Sequence, residues 1–467
     1  MPTPVKVEEV EQGCRPFPWL RSVADQPYPA LLESSRHGYG LGRYSILCAG
    51  PDKVVSCTSE GVRVEREGDT GDFHRGDPFR ILAAEFDPHR LDLPSDFPMP
   101  FAGGAVGFFS YDLRHYVEDL PLMCQYDLDV PGFVLCFYDR GLVFDHREET
   151  TYYVGPRGSR APTPERVEDA AGENTEILRA ETSLRSNFEH EEYCETVRRA
   201  KDYIAAGDIF QVNLSQRFGG AAPLDGLAIY GRLREINPAP FGGYLAYPDC
   251  EIISSSPERF LELSDDLVVT RPIKGTRPRV EGYPAFNRAM KTDLLESAKD
   301  HAELAMIVDL ERNDLGRVCS YNSIRVEEHA ALESYPTVFH LVSTVKGRLH
   351  RPHHDEFDLI RATFPGGSIT GAPKIRAMEI IEELEPHARA AYTGSMGYIS
   401  YHGRMDLNII IRTILRTQGR VYMQVGGGIV ADSDPEEEYR ETLDKGLALF
   451  RCVGDSSEFM EYADEER

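Results

Sequence analysis

The sequence has no apolar run near the ~20 residues that cross a bilayer as a helix, no CxxC, no basic block and no GK[ST] phosphate loop. Each absence removes a class. Without an apolar span no membrane partner is expected, and MPTPVKVEEVEQG lacks a basic, apolar leader, which predicts a cytoplasmic chain. Positive charge is also short: 51 Lys and Arg face 77 Asp and Glu, a formal charge of −26 over 467 residues. Such a surface repels a polyanion, so nucleic acid is not expected as a ligand. A small anion would need cations built into its site. The nine cysteines are odd in number and unclustered, and read as reduced, mostly buried thiols.

What the chain does have is turn formers, 40 Gly and 31 Pro, which argue against a coiled coil or a purely helical bundle. Residues 1–154 alternate short apolar runs (YSILCAG, KVVSC, GGAVGFFSYD, GFVLCFYD) with Gly-rich turns, a β-rich segment. A polar stretch at 155–186 reads as a linker. From 187 to 455 helical and strand patterns mix, and 456–467 is an acidic tail. Ser186 and Glu189 have capping-box spacing ahead of Tyr193, Val197, Ala200 and Ile204, which predicts a helix ending at Gly207. One helix is expected over about 288–311, others over 373–385 and 435–453, and a hairpin from MDLNIIIRTIL through RTQGR to VYMQV. The order of elements suggests α+β with large antiparallel sheets.

Two helices carry acids at helical spacing. Asp300 and Glu303 share one face; Glu438, Glu441 and Lys445 share another, behind an expected Asp434 cap with Glu437 as its capping-box partner. Two such faces suit a hard, oxygen-seeking cation such as Mg2+, or are simply solvated. The Gly-rich stretches FPGGSITGAPK and VGGGIV offer backbone N–H groups to an anion, or merely make turns. In TRPIKGTRPR, Lys274 lies among Arg271, Arg277 and Arg279. Crowding by cations would make it a nucleophile, and the alternative is a solvated basic turn. Glu258 is a general acid or an ion-pair partner of Arg259, and His340 orients a ligand or is a hydrogen-bonded core histidine.

Taken in order, IFQVNLSQRF, SPERF, RPIKGTRPR, AELAMIVDLERNDLGRV, YPTVFHLVSTVKG, FPGGSITGAPKIRAMEII, DLNIIIRT, GGGIVADSDPEEEYRET and LDKG resemble the chorismate-utilising enzymes. Within that family the aminodeoxychorismate synthases are matched slightly better than the anthranilate synthases. GGAVGFFSYDLRHYVEDLP and LLESS extend the resemblance into the N-terminal half.

The resemblance implies an α+β fold of two face-to-face antiparallel sheets flanked by helices, with Mg2+ held by Glu303 and Glu438 and by the nearby Asp300 and Glu441. It implies Glu258 and Lys274 as catalytic residues. Gln211, Thr276, His340, Thr370, Tyr392, Arg412, the Gly426–Gly427–Gly428 turn and Lys445 are implied as substrate contacts. Lys274 stands in PIKGT, where anthranilate synthases resemble PIAGT, and Gln211 stands where water-using relatives carry Lys. The implied reaction is amination of chorismate at C4 with ammonia from a separate glutamine amidotransferase, component II. None of the cysteines here has the GxCxG-like context of a glutaminase nucleophile. The rivals are anthranilate formation and a non-catalytic subunit that binds chorismate or an amino acid. LLESS also resembles the family's tryptophan-site segment, which makes Glu33, Ser34 and Ser35 an effector pocket or, alternatively, an ordinary capped helix end.

Overall fold

The computed structural model describes residues 5–35, 38–66, 71–161, 182–222, 224–335, 338–454 and 459. Much of the 155–186 segment and nearly all of the 456–467 tail lie outside them.

Two twelve-stranded sheets, antiparallel throughout, form the centre. The first runs in space through Val5–Gln12, Thr150–Pro156, Gly141–Asp145, Tyr44–Cys48, Ala30–Glu33, Phe241–Ala246, Cys250–Ser256, Thr413–Thr417, Arg420–Ile429, Gln211–Ala221 and Arg185–Ser186, with Gly371–Ala372 beside Gln211. The second runs through Ile273–Pro278, Val338–Arg348, Leu267–Arg271, Arg259–Ser264, Met405–Asn408, Ser395–Ser400, Gly104–Phe109, Phe133–Tyr138, Lys53–Thr58, Gly61–Arg66 and Asp72–His74; Arg325–Ser334 also pairs with Val338–Arg348. Strands from 1–154 and from 187–455 lie side by side in both sheets, joined at Ala30–Glu33 with Phe241–Ala246 and at Gly104–Phe109 with Ser395–Ser400.

Alternation of side chains explains the layering. Val54, Phe108, Cys136 and Met396 of the second sheet meet Ile46, Val143, Ile252 and Leu415 of the first in one core. Their neighbours Val55, Phe109, Leu135 and Phe137 face outward onto helices such as Pro78–Phe86 and Ala298–Gly316. Both faces of these strands are covered, so they read as unbroken apolar runs. The outer face of the first sheet is covered by the helices His190–Ala206, Gly226–Ile236, Lys374–Leu384 and Pro435–Val453. No helix among the described residues is long and apolar enough to cross a membrane.

Three local expectations are corrected. The helix expected from Ser186 begins at His190: Glu189 and Glu192 form the capping box, while the Ser186 hydroxyl donates to Gln216 and accepts from the Phe188 N–H. The single helix over 288–311 is two, Pro284–Glu296 and Ala298–Gly316, because Ser297 turns out of the first and caps the second by accepting from the Asp300 N–H. In MDLNIIIRTIL the strand breaks: Met405–Asn408 belongs to the second sheet and Thr413–Thr417 to the first, the chain changing sheets across 409–412 with Arg412 at φ 52°. The hairpin to Arg420–Ile429 is formed as expected. Asp434 caps Pro435–Val453 through the N–H groups of Glu436 and Glu437.

Candidate active site

The site gathers where the Gln211 end of the first sheet approaches the edge strand Ile273–Pro278 of the second. Two glycines mark the approach. A methyl on Gly428 would lie 2.4 Å from Gln211 Nε2 and 3.3 Å from Lys274 Nζ. One on Gly427 would lie 3.0 Å from Glu438 Oε2, 3.7 Å from Glu441 Oε1 and 3.8 Å from Lys445 Nζ. Gly426–Gly428, expected as a turn, lie instead within the strand Arg420–Ile429 paired with Gln211–Ala221, and form the floor onto which a lysine, an amide, two acids and a second lysine converge. Lys445 is fixed by the Gly426 carbonyl at 2.9 Å and by Glu441 at 2.5 Å.

The acids behave as one electrostatic group. Burial first, then proximity to Asp300 and Glu441, raises the Glu303 pKa against the opposing pull of Lys274 and Lys299. Burial and Glu441 raise that of Glu438, whose Oε1 accepts from Ser433 Oγ at 2.6 Å. Lys445 lowers that of Glu441. Asp300 is drawn partly away by Arg277 at 3.2 Å. The donors are hard oxygens with excess negative charge, which fits Mg2+; a partly hydrated ion, completing its shell with water and substrate, suits acids this loosely spaced.

The cation crowding expected around Lys274 is absent. Arg271 pairs with Glu333, Arg277 with Asp293 and Asp300, and Arg279 donates to the Tyr335 carbonyl. The groups that face Lys274 are instead Glu258, Glu303 and Glu441. Glu258 is 6% exposed and does not pair with Arg259, which is taken by Asp406 and Glu262. Burial raises its pKa, opposed by a hydrogen bond with Ser368, by Lys274 and by the Ile273 N–H. A buried carboxyl that holds its proton more tightly than usual, beside a lysine, is suited to give a proton to a leaving group.

Two groups wait for partners. Arg412 has its pKa lowered by burial and forms no ion pair among the described residues. The Gln211 amide is 1% exposed with both polar atoms unbonded, as is Asn213 Oδ1. Buried amides are normally satisfied, so the natural complement is an anionic ligand that also carries a hydroxyl, accepting from Gln211 Nε2 and donating to Gln211 Oε1 or Asn213 Oδ1. Tyr392 adjoins Arg412 and stands 5.7 Å from the Arg389 guanidinium.

The remaining expected contacts already have partners within the protein. Thr276 Oγ1 and His340 Nδ1 are 2.9 Å apart at the exposed rim, with the Tyr335 ring edge-on to His340. Thr370 is fully buried and its hydroxyl donates to the Gly366 and Gly367 carbonyls, so it braces its own loop. Thus the Gly-rich stretch is a tight turn in the first instance.

Sequence reading missed Ser368, Lys299, Ser433 and above all Arg389. Arg389 holds both oxygens of Glu385 at 2.7 and 2.9 Å and the carbonyls of Ile369 and Asn213 at 3.0 and 2.8 Å, with both side chains buried. Only the spacing of Glu385 and Arg389 hinted at this. R389A is expected to cost about 3–5 kcal/mol, the consequence of stranding a buried carboxylate; a urea melt with the midpoint unchanged would contradict it.

A separate cavity of about 270 Å³ lies between the sheets, lined by Glu33, Ser34, Phe241, Met396 and Asn408 among others. Glu258, Lys274, Glu303 and Glu438 do not line it, and neither does Ser35. LLESS is the end of a strand, not of a helix. Glu33 is engaged by Tyr230 and Arg234, and the Ser34 and Ser35 hydroxyls tie this segment to Pro240 and Ala239.

The chain belongs to the chorismate binding enzyme family, which matches residues 30–451. It is 40% identical over 460 residues to aminodeoxychorismate synthase component 1 of Bacillus subtilis, covering 95% of this chain and 97% of that one. It is 39% identical to anthranilate synthase component 1 of Thermus thermophilus, covering 93% and 94%. The crystal structure of anthranilate synthase component I from Streptococcus pneumoniae superimposes with a TM-score of 0.75 at 31% identity, covering 89% and 93%. The α+β architecture of paired antiparallel sheets is the fold of these proteins.

Proposed function

We propose that this chain is the aminating component of an aminodeoxychorismate synthase, replacing the C4 hydroxyl of chorismate by an amino group. The observation that carries the reading is the half-buried Arg412, without an ion pair among the described residues, together with the unsatisfied Gln211 amide: groups offered to an anion within a chain of charge −26. Arg412 and Lys445 bind carboxylate, and Gln211 and the Gly426–Gly428 backbone hold the ring. Lys274 attacks C2 through Nζ while Glu258 protonates the departing C4 hydroxyl. Ammonia then adds at C4, the ring double bonds return, and the lysine is expelled. Dividing one displacement into two lowers each barrier. Glu303 and Glu438, with Asp300 and Glu441 beside them, would hold Mg2+, which when bound anchors and neutralises the substrate carboxylate.

Identity alone does not separate amination at C4 from anthranilate formation, since 40% and 39% are equal in practice. Lys274 favours the former because it supplies a nucleophile that PIAGT lacks. The nitrogen is supplied by a partner glutaminase. Burial pushes Cys57 and Cys319 up to about 11 and Cys124 and Cys250 up to about 12, so these thiols are poor nucleophiles.

Incubation with chorismate, Mg2+ and ammonium at mildly alkaline pH is expected to give a product of the mass of 4-amino-4-deoxychorismate, without pyruvate. Excess chelator abolishes it, and glutamine cannot replace ammonium until component II is added. Fluorescent anthranilate with stoichiometric pyruvate would establish the second reading, and full turnover in chelator would remove the magnesium role.

The cavity at Glu33 and Ser34 is proposed as an amino-acid effector pocket. Calorimetry is expected to show one tryptophan bound per chain, competed by no chorismate; absence of heat at millimolar tryptophan would refute it.

A further inference from the structure

A second set of ligand-type side chains lies where the first turn of His190–Ala206 meets the first turn of Pro435–Val453. His190 and Cys194 are one helical turn apart on the same face, and Glu436 reaches them from the other helix. His190 Nε2 is 2.9 Å from Glu436 Oε2 and 3.7 Å from Cys194 Sγ, and all three donors lie within 4.8 Å of one another. A tetrahedral zinc ion with bonds of about 2.0–2.3 Å sets its donors roughly 3.4–3.6 Å apart. Two edges of the cluster, 2.9 and 3.7 Å, bracket that spacing and the third lies within 4.8 Å, so small side-chain adjustments would make it one face of such a shell. Among the described residues it is the group of His, Cys, Asp and Glu donors that closes this tightly.

The surroundings favour a dication. Cys194 is buried while the His190 and Glu436 side chains are 47% and 38% exposed, so an ion can enter from solvent, keep a water as fourth ligand and rest its sulfur on the dry side. The Tyr439 ring packs edge-on against the imidazole at 4.5 Å and fixes its plane. A His–Glu ion pair alone would account for two of the residues. It leaves unexplained a thiol aimed at the same nitrogen, with only the Pro435 carbonyl at 3.6 Å as another partner.

We propose that His190, Cys194 and Glu436 form a binding site for a borderline transition-metal dication of the zinc class, distinct from the all-oxygen acids around Glu303 and Glu438. Imidazole and thiolate exclude magnesium, which demands oxygen, so the two sites sort their ions by ligand softness. Because Glu436 precedes Glu438 by two residues, the ion would staple together the first turns of two helices, one of which carries the acids of the active site.

Cobalt(II) tests this with a readout that the oxygen site cannot give. In protein stripped by chelator and returned to saturating Mg2+, one equivalent of Co2+ is expected to produce a thiolate-to-cobalt band in the near ultraviolet, bleached by Zn2+. C194S loses the band. H190Q, at an exposed position, keeps its fold and its Mg2+-dependent turnover but binds Co2+ about tenfold or more weakly, as does E436Q. No band in the wild type, a band that survives C194S, or unchanged Co2+ affinity in H190Q would each overturn the site. If C194S does not fold, the H190Q affinity decides alone.

Discussion

K274A protein supplied with chorismate, Mg2+ and ammonium is expected to lose 4-amino-4-deoxychorismate formation on the order of a hundredfold or more, because the group removed acts only along the reaction path. Folding should be unaffected, since Lys274 lies on an edge strand and its side chain supports no packed layer. With the nucleophile gone the position resembles PIAGT, and residual turnover is expected to move toward amination at C2 with release of pyruvate. Mass analysis of the products and a pyruvate assay read both effects. An unchanged rate of the C4 product would end the covalent role of Lys274, whatever the fate of the side reaction.

E258Q is expected to lower kcat/KM by about 10²–10⁴-fold, the usual contribution of a positioned general acid. The carboxamide preserves shape and the Ser368 contact but has no proton to give. The pH profiles should part in a definite sense. Wild-type activity, expressed per neutral ammonia, falls as pH rises through the elevated Glu258 pKa, while the residual activity of E258Q does not follow that limb. Stability moves the same way. A carboxyl whose folded pKa is raised favours the fold fully below its unfolded value and loses that contribution as pH rises through the folded pKa. E258Q, neutral throughout, should therefore gain in Tm over the wild type as pH increases across that window. Equal rates for the two proteins would remove Glu258 from the chemistry.

The sequence carried the site further than it carried the architecture. Glu258, Lys274, Glu303, Glu438, Glu441, Lys445 and Gly426–Gly428 were readable because their segments, in order, resemble those of the chorismate-utilising enzymes; their spacing alone suits a solvated face as well, and the structure brings them to one place. The break at Ser297 and the change of sheet at 409–412 were not readable. An apolar run such as LNIII fits a strand on either sheet, and only tertiary pairing decides where it divides. The cations of RPIKGTRPR misled for a related reason: adjacency in a strand alternates faces, so Arg271 and Arg277 could find acids, and Arg279 a backbone carbonyl, instead of crowding Lys274. Arg389 was hard to see because, beyond Glu385 one helical turn before it, its partners are the Ile369 and Asn213 carbonyls and the Thr393 hydroxyl, which leave no pattern in composition.

The seam between the early and late strands sets a timetable for biosynthesis. Gly104–Phe109, buried on both faces, has Phe133–Tyr138 on one side from the start, but its other edge stays unpaired until Ser395–Ser400 leaves the ribosome. At elongation rates of about 5–20 residues per second that interval is about 15–60 s. During it a sticky edge is presented to every neighbouring nascent chain. Such a topology calls for chaperone cover while the protein is being made, and slowing translation between these two strands should lower the soluble yield without altering the finished enzyme.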